Sequence, residues 1–145
     1  MDYAEKELGV NEVYAEAQRL SKALEDAQAT LLEARGNKRS IEAEQYNREM
    51  DLVLDESEHH PEMSVAAMER HMKKVLFRDT RLKDLRDSHV AVVGEIEGLE
   101  SEVRKIESDI KIVTSRMVEL GGYLQYLAAI KQHQMAYKTS EAGEA

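Results

Sequence analysis

The sequence predicts an all-α fold, a long antiparallel helical hairpin of the coiled-coil type that oligomerises, and three observations carry that prediction. Proline occurs once in 145 residues while 34% of the chain is Asp, Glu, Lys or Arg, a balance with few turn-formers that favours long helices. Two separate stretches repeat their apolar residues in alternating steps of three and four, which keeps one narrow stripe of a helix facing a partner. Between them lies a single polar segment that holds the proline. No stretch shows the period-two alternation bounded by turn residues that strands require.

The first helix is predicted over about residues 3–55. Its seam runs Val13, Ala17, Leu20, Leu24, Ala27, Leu31, Ala34, Lys38, Ile41, Gln45, Arg48 and Leu52 without a slip. Several members are alanine or polar, and each forfeits part of the roughly 1.5–3 kcal/mol that a fully buried Leu or Ile contributes. This helix therefore needs a stronger one as a template. Gly36-Asn37 is the candidate break, since Gly costs about 1 kcal/mol against Ala in a helix interior, yet the register carries across it.

Residues 56–61 are predicted as the turn, with Pro61 placed to open the next helix at its first turn. The second helix is predicted over about residues 62–138, followed by a disordered tail over 139–145. Its seam is the stronger: Leu82, Leu85, His89, Val92, Ile96, Leu99, Val103, Ile106, Ile110, Val113, Met117, Leu120, Leu124 and Leu127. A short connection between long helices makes them antiparallel neighbours. Charge agrees, because a fold at residue 60 sets the acidic Glu42, Glu44, Glu49, Asp51 and Asp55 beside the basic Arg70, Lys73, Lys74, Arg78, Arg81, Lys83 and Arg86.

The two arms are unequal. At about 1.5 Å per residue they reach roughly 80 and 115 Å, so a fold at residue 60 places Val13 near residue 107 and Tyr3 near residue 117. Beyond Met117 the second helix is then expected to lack an intrachain partner. Its apolar residues there, Met117, Leu120, Tyr123, Leu124, Tyr126, Leu127 and Ile130, spread past the seam and read as the surface for self-association or partner docking. Gly121-Gly122 within this stretch is a candidate hinge or point of close backbone approach. The seam mixes Ile and Val at both of its repeating positions, which fixes no stoichiometry by itself; the expectation is two hairpins joined into a four-helix assembly, with a parallel dimer of extended helices as the rival.

Chemistry is sparse in this sequence. There is no cysteine, hence no disulfide or thiolate chemistry. His59 and His60, with Glu58 and Glu62 alongside and His71 further on, are candidate metal ligands, as are the carboxylate groups Glu5, Glu7, Glu12, Glu16 and Glu95, Glu97, Glu100, Glu102. Adjacent histidines in one turn do not readily converge, so no metal and no cofactor is expected. The carboxylates Glu95, Glu97, Glu100 and Glu102 belong on a wet outward face, where nothing perturbs their pKa values toward catalysis. No phosphate-binding loop or nucleophile arrangement occurs, and no catalytic residue is assigned. His89, at a seam position, is a candidate pH-sensitive point: set against a second histidine, its protonation would weaken the pairing.

The formal net charge of −9 argues against a general binder of phosphate backbones. No run is apolar enough to span a bilayer, and the acidic start Met1-Asp2-Tyr3-Ala4-Glu5 lacks the features of a signal peptide, so cytoplasmic residence is expected. The expected function is non-enzymatic: a scaffold, adaptor or regulatory subunit whose partners are a second copy and a larger protein. The alternative is an acidic rod that imitates a nucleic-acid backbone and regulates a nucleic-acid enzyme. No local motif singles out a family.

Overall fold

The structure, a computed structural model, describes the backbone of residues 3–144 and the side chains of residues 9–122, 125–126 and 128–132. Every element is an α-helix: α1 Tyr3–His59, α2 Val65–Arg78 and α3 Thr80–Glu144. Neither glycine site interrupts its helix, since Gly36 lies inside α1 and Gly121-Gly122 inside α3, and none of the described residues has a positive φ. At Gly36 the loss of about 1 kcal/mol for a helical glycine is too small to break the helix, since Ala34 is buried on one side and Lys38 and Ile41 are half-buried on the other. α3 also runs to Glu144, past the residue 138 at which the sequence pattern ends. The residues beyond it lack a helix-ending proline.

The chain divides into two units. The first combines Met1–Asp26 with Val103–Ala145. Within it the seam residues Val13 and Leu20 of α1 are buried, as are Val103, Ile106 and Val113 of α3. Val10, Val13 and Tyr14 line one cavity with Met117, Leu120 and Gly121. The expected register is thus corrected: Val13 lies beside Met117 and Leu120 rather than residue 107, and these two have α1 for a neighbour. α1 continues to His59 and the next helix opens only at Val65, so each facing residue lies further along the chain than a fold at residue 60 implies.

The second unit is Ala27–Glu102, an antiparallel helix pair closed by a turn. Ala27, Leu31 and Ala34 of α1 are buried, together with Met72 of α2 and Leu82, Leu85, Val92 and Ile96 of α3. Cross-pairs fall in opposing order along the helices. Arg35 meets Glu100, Glu42 meets His89, Glu44 meets Arg81, and Arg48 meets Asp79. The polar seam positions Lys38, Gln45 and Arg48 are half-buried, whereas the next residues outward are exposed. Leu31 keeps 6% of its surface accessible and its neighbour Leu32 keeps 66%, which fixes which stripe of α1 is the seam.

The second helix of the sequence reading is two helices. α2 ends where Asp79 takes an extended conformation, φ −68° and ψ 122°. Its Oδ2 accepts a hydrogen bond from the Leu82 N–H at 3.0 Å, so Asp79 also caps the start of α3. At the other end, Ser64 caps α2 through Ala67 N–H to Oγ at 3.2 Å.

Candidate functional site

Three features of the described residues carry chemistry beyond helix packing, and all lie in the second unit. The break at Asp79 is the best satisfied. Arg48, from a seam position of α1, donates Nε–H to Oδ2 at 3.1 Å and Nη2–H to Oδ1 at 2.7 Å. This two-pronged match of guanidinium to carboxylate is the strongest ion-pair geometry a side chain offers. Asp79 is nearly buried, its side chain 12% exposed. Its carboxyl is held below the usual range, first by the Arg48 hydrogen bond, then against desolvation by the Leu82 N–H and the charges of Arg48 and Arg86. Arg86 also reaches back to donate to the Phe77 carbonyl at 3.4 Å and lies over its ring, 5.9 Å from the centroid. A carbonyl left over at the end of α2 is thereby satisfied.

The turn holds a second cluster. Glu56 and His60 are one helical turn apart, and the His60 N–H still donates to the Glu56 carbonyl at 3.0 Å although α1 ends at His59. Both side chains therefore project from the same side. His71 comes from α2, with Nε2 2.8 Å from Glu56 Oε2. His60 Nε2 lies 3.4 Å from that same oxygen. The two imidazoles meet edge to face, their centroids 5.1 Å apart. All three side chains are half-buried, and one donor atom from each lies within 4.8 Å of the others. The Glu56 carboxyl is held below the usual range, chiefly by the hydrogen bond with His71. His59 takes no part: its Nδ1 lies 2.7 Å from the Asp55 carbonyl, a hydrogen bond that raises its pKa.

The third feature is apolar. Tyr46, Met50 and Leu54 follow one another at steps of four along α1 and are 63%, 39% and 58% exposed. Steps of four share a side of a helix, and Gln45, Arg48 and Leu52 between them are the half-buried seam. α1 thus carries a second apolar stripe that faces away from its intrachain partner.

The residues singled out in the sequence are distributed as follows. Met117 and Leu120 are half-buried beside α1, whereas Tyr126 and Ile130 are exposed at 62% and 37%. Tyr123, Leu124 and Leu127 lie outside the residues whose side chains are described. His89 is half-buried with Nε2 3.2 Å from Glu42 Oε1, so within this unit it faces a carboxylate. Of the expected acid–base pairs, Arg81–Glu44 forms at 2.6 Å. Arg70, Lys73, Lys74, Arg78 and Lys83 are exposed. The Arg48–Asp79 pair has the opposite polarity to that expectation, with the cation on α1.

Sequence reasoning passed over Asp79 and the grouping of Glu56 with His60. Both signals were present. The seam continued upstream from Leu82 demands Arg78, yet Arg78 is exposed and its neighbour Asp79 is half-buried. Glu56 and His60 stand at the four-residue spacing that puts two ligands on one helix face. No protein-family model, curated protein or solved structure matches the chain.

Proposed function

We propose that the chain is a non-enzymatic interaction module of the coiled-coil type, a scaffold, adaptor or regulatory subunit that works by associating with a second copy of itself and with a larger protein. The observation that carries this reading is the exposed stripe Tyr46, Met50 and Leu54, left over after the seam of α1 has been consumed inside the helix pair. A row of large exposed apolar side chains on the outer side of a helix is consistent with an interface, and a helix with two apolar stripes suits an assembly of more than two helices. Among the described residues no helix is long and apolar enough to cross a membrane.

Light scattering on the size-fractionated full chain tests the proposal. Wild type is expected at twice the mass of one chain. Tyr46→Glu/Leu54→Glu is expected at the mass of one chain with its helicity kept. A Leu124→Asp/Leu127→Asp variant examines the other candidate surface, and whichever pair of changes lowers the mass locates the interface. A wild type that runs as a single chain at all concentrations, and retains no protein partner from its native cell, overturns the reading.

A further inference from the structure

We propose that Glu56, His60 and His71 form a binding site for a divalent transition-metal ion of the zinc type. The inference is independent of the association argued above. Two imidazole nitrogens and one carboxylate oxygen are a donor set suited to zinc, which takes three protein ligands and leaves a fourth position to water in its open sites. In such a tetrahedral site, bonds of about 2.0–2.1 Å separate neighbouring donors by about 3.3 Å. Here the separations from Glu56 Oε2 are 2.8 Å to His71 and 3.4 Å to His60, and no pair of donors exceeds 4.8 Å. Closing all three on one ion requires movements of no more than about 1.5 Å, within reach of side-chain rotation alone.

The backbone around the site is fixed before any ion arrives. Met63 N–H donates to the His60 carbonyl at 3.3 Å, Met68 N–H donates to the Ser64 carbonyl at 2.8 Å, and Ser64 caps α2. His71 is therefore held opposite the last turn of α1 by the helix start, not by the metal. Half-burial favours the site further, since a partly dry pocket strengthens the attraction between the ion and its carboxylate. An ion there joins the end of α1 to α2 and restrains the turn, so it stabilises the fold by binding the native state alone.

The experiment uses the full chain stripped with a chelator and titrated with Zn²⁺ against a competing chromophoric chelator, with Co²⁺ as a spectroscopic substitute. One ion per chain, visible Co²⁺ bands of tetrahedral intensity and a raised melting temperature are expected. Loss of an outer partner already weakens metal sites about 10–100-fold, so loss of a ligand in Glu56→Gln, His60→Ala or His71→Ala is expected to weaken binding at least about tenfold. His59→Ala, on the same turn but engaged with Asp55, is expected to bind as wild type does. Imidazole ¹⁵N spectra of the unaltered chain supply a readout free of any folding defect: Zn²⁺ is expected to shift His60 and His71 and leave His59 and His89 in place. Equal affinity in wild type and the ligand variants, equal binding of Mg²⁺, or imidazole shifts confined to other histidines overturns the site and leaves the Glu56–His71 contact as a hydrogen bond only.

Discussion

Asp79 shows how much one side chain can decide. It ends α2, caps α3 and receives both prongs of Arg48, so its charge and its shape do separate jobs. Two substitutions separate them. Asn keeps the capping oxygen and loses the charge, whereas Ala loses both, and Ala is expected to be less stable than Asn by about 1 kcal/mol, the usual worth of such a cap. Thermal melts of the two variants at neutral pH check this, and equal melting temperatures would mean that the cap contributes nothing. The charge has its own signature. The carboxyl is held below its ordinary value of 3.8 in the folded chain, so the unfolded chain takes up the proton first as pH falls. The stabilisation is present above the unfolded pKa and is lost as pH falls through the folded one. Wild type is therefore expected to exceed Asp79→Asn in stability by a constant margin at neutral pH, and that margin is expected to shrink below about pH 4. A margin that stays level from pH 7 down to pH 3 would show that the Arg48 pair does not act through this proton.

On the scale of the element, the seam was legible because it is a repeating constraint. In α1, from Val13 to Leu52, not one of its twelve positions is exposed, polar members included. A spacing sustained that long commits one face of the helix to its intrachain partner. Leu31 and Leu32 make the sharpest test, being the same residue one step apart. Leu31→Ala is expected to cost about 2–3 kcal/mol as a buried large-to-small change, and Leu32→Ala less than about 0.5 kcal/mol. Chemical denaturation of the pair checks both, and similar costs would refute the assigned face. The glycines add a test of opposite sign. A Cβ built at Gly36 or Gly98 meets nothing within 4 Å, and both sit in continuous helix. Ala at either is expected to raise stability by about 0.5–1 kcal/mol. The break at Asp79 was not legible by the same route, since it depends on one cap and one arginine from a distant stretch of chain. The metal-type cluster was hidden for a related reason. Glu56 and His60 stand at a four-residue step, but the third member, His71, lies fifteen residues from Glu56 and is brought in only by the turn.

For the molecule as a whole, helix pairing leaves apolar surface behind. Tyr46, Met50 and Leu54 in one unit, and Tyr126 and Ile130 in the other, are exposed despite their size. Charge does not account for them, because a net charge of −9 keeps copies apart in dilute salt and would have to be overcome by burial. That opposition yields a prediction with a definite sign. If a second copy covers the stripe, unfolding is coupled to dissociation, and the melting temperature rises with protein concentration. Added salt screens the repulsion between acidic copies while leaving apolar burial intact, so association is expected to strengthen, not weaken, between low and physiological ionic strength. An acidic surface that imitates a nucleic-acid backbone would behave in the opposite way, releasing its basic partner as salt is added. Melting curves of wild type and Tyr46→Glu/Leu54→Glu over a hundredfold range of concentration, at two salt levels, therefore test the stripe, while salt-driven release of a bound basic protein tests the mimic. A concentration dependence that is absent from wild type, or that survives unchanged in the variant, removes the stripe from consideration as the surface through which copies meet.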